Sequence, residues 1–467
     1  VPVEAMVTNL LSFKGCEELL RGTRLSTIMA RRGHLFKESQ GSEQTFMMSE
    51  QTATLDAFVS HNWAIPARSK YLVLSYYYNG HQVAGATTCT LLLIGLATYF
   101  GWMPLVEDKS MGASVGCLGR ILWFPVGAIL YAFWWDLAGR LGYQGPMLFL
   151  DKVCIHQTDP QMMRRGIEKL GAFIQDSKQM LALYSEEYLR RLWTVYEVAT
   201  FLSIHQKKDL TLLPTSVPTM AVVILVALWV SQVCQVFLML ESSHSIFRAA
   251  PGATVCIGAS IAFRVLFQNK QKMIATIDNF SVQKCVCAQE SDRAQVYTNI
   301  EALMRSMGSF EPSASQEEVL AAFDQQVQRR LPLVLKKQMG KVILPYEKVV
   351  VLSIFNQLPW IVDKMVLLKD ESLWKDTLIS SYFDLVWIVV FSPGLILGLQ
   401  WFNAKFLHLS GIWNILWCLL TSCLGNILTI VLASFTLRAN DDPLRWGIAV
   451  NLLAIVMFLI GWCVRHT

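Results

Sequence analysis

The sequence predicts a polytopic α-helical membrane protein of about seven transmembrane helices, with an α/β parallel-sheet domain in its soluble parts. Three observations predict this. Of the 467 residues, 53% are hydrophobic and only 16% charged, against about 25% charged in ordinary soluble domains. Several apolar runs reach the roughly 20 residues that a helix needs to cross a bilayer. Between those runs, short apolar strands alternate with helices, which is how a parallel sheet covered on both faces reads.

Five runs qualify as spans on length and apolarity: 83–102, 219–240, 382–402, 411–435 and 446–464. Two weaker ones bring the count to seven. Residues 112–135 contain Arg120 and Pro125, and residues 253–268 contain Arg264. The run "VVVLSIFNQLPWIVDKMVLL" (349–368) is interrupted by Pro359, Asp363 and Lys364. It is therefore expected at the interface or packed against the bundle; counted as a span, it would be an eighth. Arg120 is costly in lipid and must face protein, water or the interface. No partner for it is evident in the sequence. Asp384, near the start of a span, is expected at the interface.

Lys and Arg accumulate in 1–81, 137–217 and 269–380, whereas the connections 103–110 and 241–252 hold one basic residue each. The soluble pieces are thus expected on one side, the cytoplasm or its equivalent. The implied partners are the lipid bilayer and other proteins. A net charge of +5 is too small to argue for nucleic acid. Eleven cysteines form no CxxC pair and mostly sit in apolar text, as buried thiols do. The polar stretch 31–44 is a candidate mobile segment.

The expected organisation follows in order. An N-terminal segment (1–51) precedes the first half of the sheet domain (52–81), and a membrane hairpin (82–136) separates it from the second half (137–217). A second hairpin (218–268), a soluble or interfacial helical region (269–380) and C-terminal spans (381–467) complete the chain. Within the split domain, strands are expected at 55–61, 147–151, 180–185 and 210–214. Helices are expected at 67–78, 166–178 and 189–204. The functional crevice of such a sheet lies at the carboxyl ends of its strands. Asp151 and the residues after Ser60 and Ser185 sit there.

The texts "DAFVSH", "FLDK" and "RRGIEKLGAFIQDSKQMLALYSEEYLRRLWTVYE" together resemble the TIR (Toll/interleukin-1 receptor) domain, particularly its plant and protist versions. The matching residues are Phe58, Val59, Ser60, Asp151, Gly166, Ile167, Ser177, Ser185, Tyr188, Trp193 and Glu197. The resemblance covers about a fifth to a quarter of the chain. The text around "LDK" and "CIHQTD" is also similar to multipass membrane proteins of unicellular eukaryotes. The resemblance implies a flavodoxin-like sheet, here split and shortened. Thr194 and Val198 depart from the family's Cys and Leu, a hairpin interrupts the domain, and no text remains for the usual fifth strand and last helix.

In TIR enzymes that cleave NAD, the glutamate at the position of Glu197 is catalytic. The resemblance therefore makes Glu197 the candidate catalyst. Ser60, Trp63, Asp151 and Trp193 become candidates for lining an NAD cleft, with NAD as substrate and no cofactor required. The chemistry suits one carboxylate, because the nicotinamide leaving group already carries positive charge and needs no acid. The plainer alternative pairs Glu197 with Arg190 or Arg191 and makes Trp193 core. Many TIR domains are adaptors, so an interaction or structural subunit leads, with the NAD glycohydrolase as alternative. A channel or transporter component comes third, since intramembrane charge is limited to Arg120 and Arg264. No metal site is expected: Asp151, Cys154, His156 and Asp159 share one loop without a distant second cluster. His61, before Pro66, serves either a cleft or a cap.

Overall fold

The computed structural model describes residues 3–420 apart from 110–111, 206–208, 242–244, 288, 308–309, 311–312, 340–343, 345, 410–412 and 414–415. The chain divides into two compact units. The first comprises Val1–Tyr78, Ala132–Pro218 and Asn269–Gln338; the second comprises Asn79–Tyr131, Thr219–Gln268 and Met339–Thr467.

The strands in chain order are β1 (Arg21–Arg24), β2 (Glu50–Gln51), β3 (Ala57–His61), β4 (Leu105–Asp108), β5 (Ala113–Gly116), β6 (Met147–Phe149), β7 (Met180–Tyr184) and β8 (Leu210–Pro214). The first unit holds a six-stranded mixed sheet in the order β2-β1-β6-β3-β7-β8. Strands β6, β3, β7 and β8 run parallel, with Phe58 opposite Phe149 and Ser60 opposite Ala182. The two halves on either side of the apolar hairpin therefore share one sheet. Counted along the chain, the parallel strands lie in the order 2-1-3-4. The direction of winding reverses between β3 and β7, and crevices form at such a switch point.

Residues 1–51, expected as a separate segment, contribute β1 and β2. Strand β1 is antiparallel to both β2 and β6, a pairing that motif text could not reveal. The polar stretch 31–44 is also built in. Leu35 and Phe36 are buried, and the Arg31 amide donates to Asp136 Oδ1 at 3.0 Å. Among the described residues no fifth parallel strand follows β8. Instead the Gln338 side chain accepts from the Leu212 amide at 2.8 Å and donates to the Leu210 carbonyl. A helix thus satisfies the backbone that an open edge strand would leave unpaired.

Four helices of this unit position the site: α1 (Ala67–Tyr78), α2 (Leu170–Gln175), α3 (Leu192–Ile204) and α4 (Ser291–Ser306). Alternate residues of a strand face opposite sides of its sheet. Ala57, Val59, Leu181 and Leu183 accordingly share a core with Tyr71, Val73 and Leu74 of α1. On the other side Phe58 stacks on Phe149 at 4.5 Å, and Phe149 meets Phe173 of α2 at 4.4 Å.

Five helices among the described residues are long and apolar enough to cross a membrane: Gly80–Tyr99, Leu118–Arg140, Ser216–Leu240, Tyr346–Lys369 and Trp374–Lys405. The runs at 411–435 and 446–464 lie outside the described residues, save a few positions of the first. The run at 253–268 lies inside the helix Ser245–Asp278, which is not among the five. The run 349–368, expected at the interface or packed against the bundle, falls within one of the five. Its charges are paired rather than exposed: Arg120 Nε donates to Asp363 Oδ2 at 2.8 Å, and Lys364 Nζ to Asp384 Oδ2 at 2.6 Å. Opposite charges brought together relieve much of the cost that each would carry alone in an apolar medium. Strands β4 and β5 form a separate antiparallel hairpin in the second unit.

Candidate functional site

Strand β3 ends at the switch point, and its last residues diverge by alternation. Ser60 faces α3 and His61 faces α1. Ser60 Oγ donates to Glu197 Oε2 at 2.5 Å and also shares a short hydrogen bond with the Tyr188 hydroxyl. Tyr188 belongs to the turn Tyr188–Arg190, which leads into α3, and is fully buried. That turn is tied to the helix by Thr194, whose hydroxyl donates to the carbonyls of Tyr188 and Arg191. Thr194 thus orders the approach to Glu197.

Glu197 lies on the second turn of α3 and is partly exposed. Burial of its carboxyl group pushes its pKa from 4.5 up to about 8. The Ser60 hydrogen bond opposes that shift and the negative charge of Asp151 adds to it. At neutral pH the ligand-free carboxyl group is therefore mostly protonated. Burial likewise holds the Tyr188 hydroxyl well above its ordinary range.

A second cluster occupies the α1 side. Trp63 Nε1 donates to Asp151 Oδ2 at 2.9 Å. Lys70 Nζ lies 4.3 Å from the centre of the Trp63 ring, and the His61 ring meets the same indole edge-on at 4.6 Å. Lys70 is fully buried, and its Nζ has no hydrogen-bond partner; neither do His61 Nε2 and Asn62 Nδ2. Burial lowers the Lys70 pKa to about 8, against the opposing pull of Asp151. Burial also lowers His61 to about 4, with Asp151 again opposing it. Asp151 sits just beyond β6 and acts electrostatically on Glu197, His61 and Lys70 alike.

Four of the five residues singled out in the sequence thus form two adjoining pairs, Ser60 with Glu197 and Trp63 with Asp151. Trp193 goes elsewhere: its indole N–H donates to Asp292 Oδ2 of α4 at 3.1 Å. Glu197 has neither Arg190 nor Arg191 as an ion-pair partner; Arg190 pairs with Glu187. The loop after Asp151 is organised by capping. Asp159 Oδ1 accepts the amides of Gln161 and Met162, and His156 Nδ1 accepts the Asp159 amide. His156 Nε2 lies 2.9 Å from Glu43. Among the described residues no group of three or more His, Cys, Asp or Glu side chains is placed to hold a metal ion.

Sequence reasoning missed Lys70 and gave Tyr188 no role in the site. A signal for Lys70 existed, since it is the one charged residue after Arg68 in the otherwise uncharged helix text "SKYLVLSYYY". Neither family models, nor curated proteins, nor solved structures give a match to this chain.

Proposed function

We propose that this chain is a membrane-anchored protein whose sheet domain binds a nucleotide at Glu197 and cleaves its N-glycosidic bond, with NAD as the substrate. The observation that carries this reading is the Ser60–Glu197 hydrogen bond at the switch point, where the carboxyl pKa is displaced to about 8. Strongly displaced carboxyl groups in partly open sites at strand ends are where acid–base and electrostatic chemistry concentrates.

In this reaction water adds to the ribose carbon, nicotinamide leaves with the bonding pair, and one proton is released. The ionised form of Glu197 is the useful one, because it can stabilise the oxocarbenium-like transition state. Arrival of a cationic nicotinamide ring favours that form, since a nearby positive charge lowers a carboxyl pKa. Ser60 orients the carboxylate, and Trp63 and Asp151 border the same end of the sheet.

Purified full-length protein should release nicotinamide from NAD, with kcat/KM rising with pH up to about 8, the free Glu197 value. Glu197→Gln should abolish release without loss of folding. Turnover indifferent to Glu197→Gln would overturn the assignment.

A second reading, the interaction or structural subunit, is favoured by the Trp193–Asp292 hydrogen bond, which commits that indole to helix packing. Absence of NAD cleavage by soluble, membrane-reconstituted and clustered protein would select it. In both readings the basic soluble pieces face the cytoplasm or its equivalent. Single cysteines at 106 and 246, in a cysteine-free background, should label from the side opposite to one at 160. Labelling of all three from one side would refute that topology.

A further inference from the structure

A cavity of about 390 Å³ lies inside the second unit, among its apolar helices. Its wall is graded. The helices Ser216–Glu241 and Tyr346–Lys364 line it side by side, and two sets of contacts fix their relative direction. Gln232 Nε2 donates to the carbonyls of Phe355 and Asn356 at 2.9 and 2.8 Å. Seven residues further along each helix, Arg120 joins Met239 Sδ at 2.7 Å to Asp363 Oδ2 at 2.8 Å. The two helices therefore run the same way in register, and positions at equal offsets lie at equal depth.

At one depth the lining is mainly apolar, with Leu228 and Leu352 level with each other, Ile224 a turn beyond, and the Ser392 hydroxyl already paired with Ser353 at 2.9 Å. About one turn along come Ser231, Gln235, Asn356 and Gln357. Their side chains take no part in the hydrogen bonds made among the described residues. Beyond these lie Arg120 and Trp360. Gln235, Asn356 and Gln357 are half-buried, and their carboxamides offer donors and acceptors that a bound molecule carrying oxygen atoms can meet. Arg120 supplies no net charge, because Asp363 already neutralises it. A carboxylate or phosphate ligand would thus leave an uncompensated negative charge within the bundle. The volume is at the lower end of the ~300–1,000 Å³ typical of small-molecule sites, which suits one hydrocarbon chain rather than two.

We propose that this cavity binds a neutral, single-tailed amphiphile of the monoacylglycerol class. Its hydroxyl and ester head lies among the carboxamides next to Arg120, and its tail points toward Leu228 and Leu352. The proposal is independent of the reading of Glu197.

The test uses full-length protein in nanodiscs and a diazirine-bearing monoacylglycerol. Labelling should saturate and map to peptides covering 224–239 or 352–360. Unlabelled monoacylglycerol should compete, whereas the matching free fatty acid and lysophosphatidic acid should not. Gln235→Leu should weaken apparent affinity about five-fold, as expected for one lost hydrogen bond. Ala259→Phe, which fills the cavity from its wall, should abolish labelling. Gel filtration and a melting curve check that each variant folds; if Ala259→Phe does not, Gln235→Leu decides. Labelling that does not saturate, that survives in folded Ala259→Phe, that is unchanged in Gln235→Leu, or that an anionic lipid displaces equally would overturn the proposal.

Discussion

Arg120 and Asp363, separated by 243 residues in sequence, form a buried ion pair with Arg120 Nε 2.8 Å from Asp363 Oδ2. The same carboxylate accepts the amides of Gly119 and Arg120 at 2.8 and 3.3 Å. It therefore both neutralises a guanidinium and satisfies the first amides of the helix Leu118–Arg140, which have no partner within that helix. The Trp360 ring covers the guanidinium at 4.5 Å. Removing one member of such a pair strands the other, at a cost of about 3–5 kcal/mol. Asp363→Leu and Arg120→Met should each lower the melting temperature in detergent sharply. The double variant should recover part of the loss, and strict additivity of the two losses would refute the coupling.

The displaced pKa values make the stability of the sheet domain depend on pH with a definite sign. Glu197 is raised from 4.5 to about 8. Across that window the unfolded chain has released a proton that the native state keeps, so stability falls as pH rises. Lys70 is lowered from 10.5 to about 8. Between those values the unfolded chain holds the extra proton, so stability rises with pH. Together they place a minimum near pH 8 in this site's contribution. His61, lowered from 6.5 to about 4, adds a loss on acidification through that range. Denaturant midpoints between pH 6.5 and 10 should trace the minimum. Glu197→Gln should flatten its acid limb and Lys70→Met its alkaline limb. A monotonic profile that neither variant alters would contradict these displacements.

Phe58 tests whether the split halves fold as one. It lies on β3, pairs with Phe149 of β6 across the sheet, and stacks on it at 4.5 Å. Phe58→Ala should cost about 3–5 kcal/mol through the cavity it leaves. Residues 147–214 should then become protease-sensitive together, although the substitution lies before the apolar hairpin. Unchanged protection of that segment would mean that the halves are independent.

The four parallel strands were legible because continuous apolar runs of Val, Leu, Phe and Met read the same whether or not a hairpin interrupts the chain. The meeting of Ser60 with Glu197 was legible only through motif order, since nothing local joins residues 137 apart. Strand β1 was not legible: "RGTR" has no apolar alternation, and its partners β2 and β6 lie far along the chain. The pairing of Asp363 and Lys364 was hidden for a physical reason. A sequence displays each charge alone, whereas Arg120 and Asp384 cancel them in space. The fate of Trp193 was hidden likewise, because its partner Asp292 lies in helical text with no motif.

Trp193 and Glu197 stand one helical turn apart, yet they should fail differently. The Trp193 indole donates to Asp292 Oδ2, and its ring meets Tyr196 edge-on at 6.0 Å. Trp193→Phe keeps an aromatic ring but removes the donor. The hydrogen bond is part-buried, so its loss should cost about 1 kcal/mol. Trp193→Ala should cost more, toward the lower end of the ~3–5 kcal/mol seen for buried tryptophan, because the residue is not fully enclosed. Asp292→Asn should reproduce part of the Trp193→Phe loss, and the combined variant should cost less than the sum of the two. Glu197→Gln, by contrast, should leave the melting temperature unchanged only near pH 4 and raise it progressively above that, because the unfolded carboxyl group ionises from about 4.5 while the native one stays protonated. If Trp193 lined a nucleotide cleft instead, Trp193→Phe would raise KM for NAD while leaving stability intact. Equilibrium denaturation of the single and double variants, measured beside NAD kinetics, separates the two roles. A stability loss without a change in KM is the expected result, because the only polar atom of the indole is already bound to Asp292.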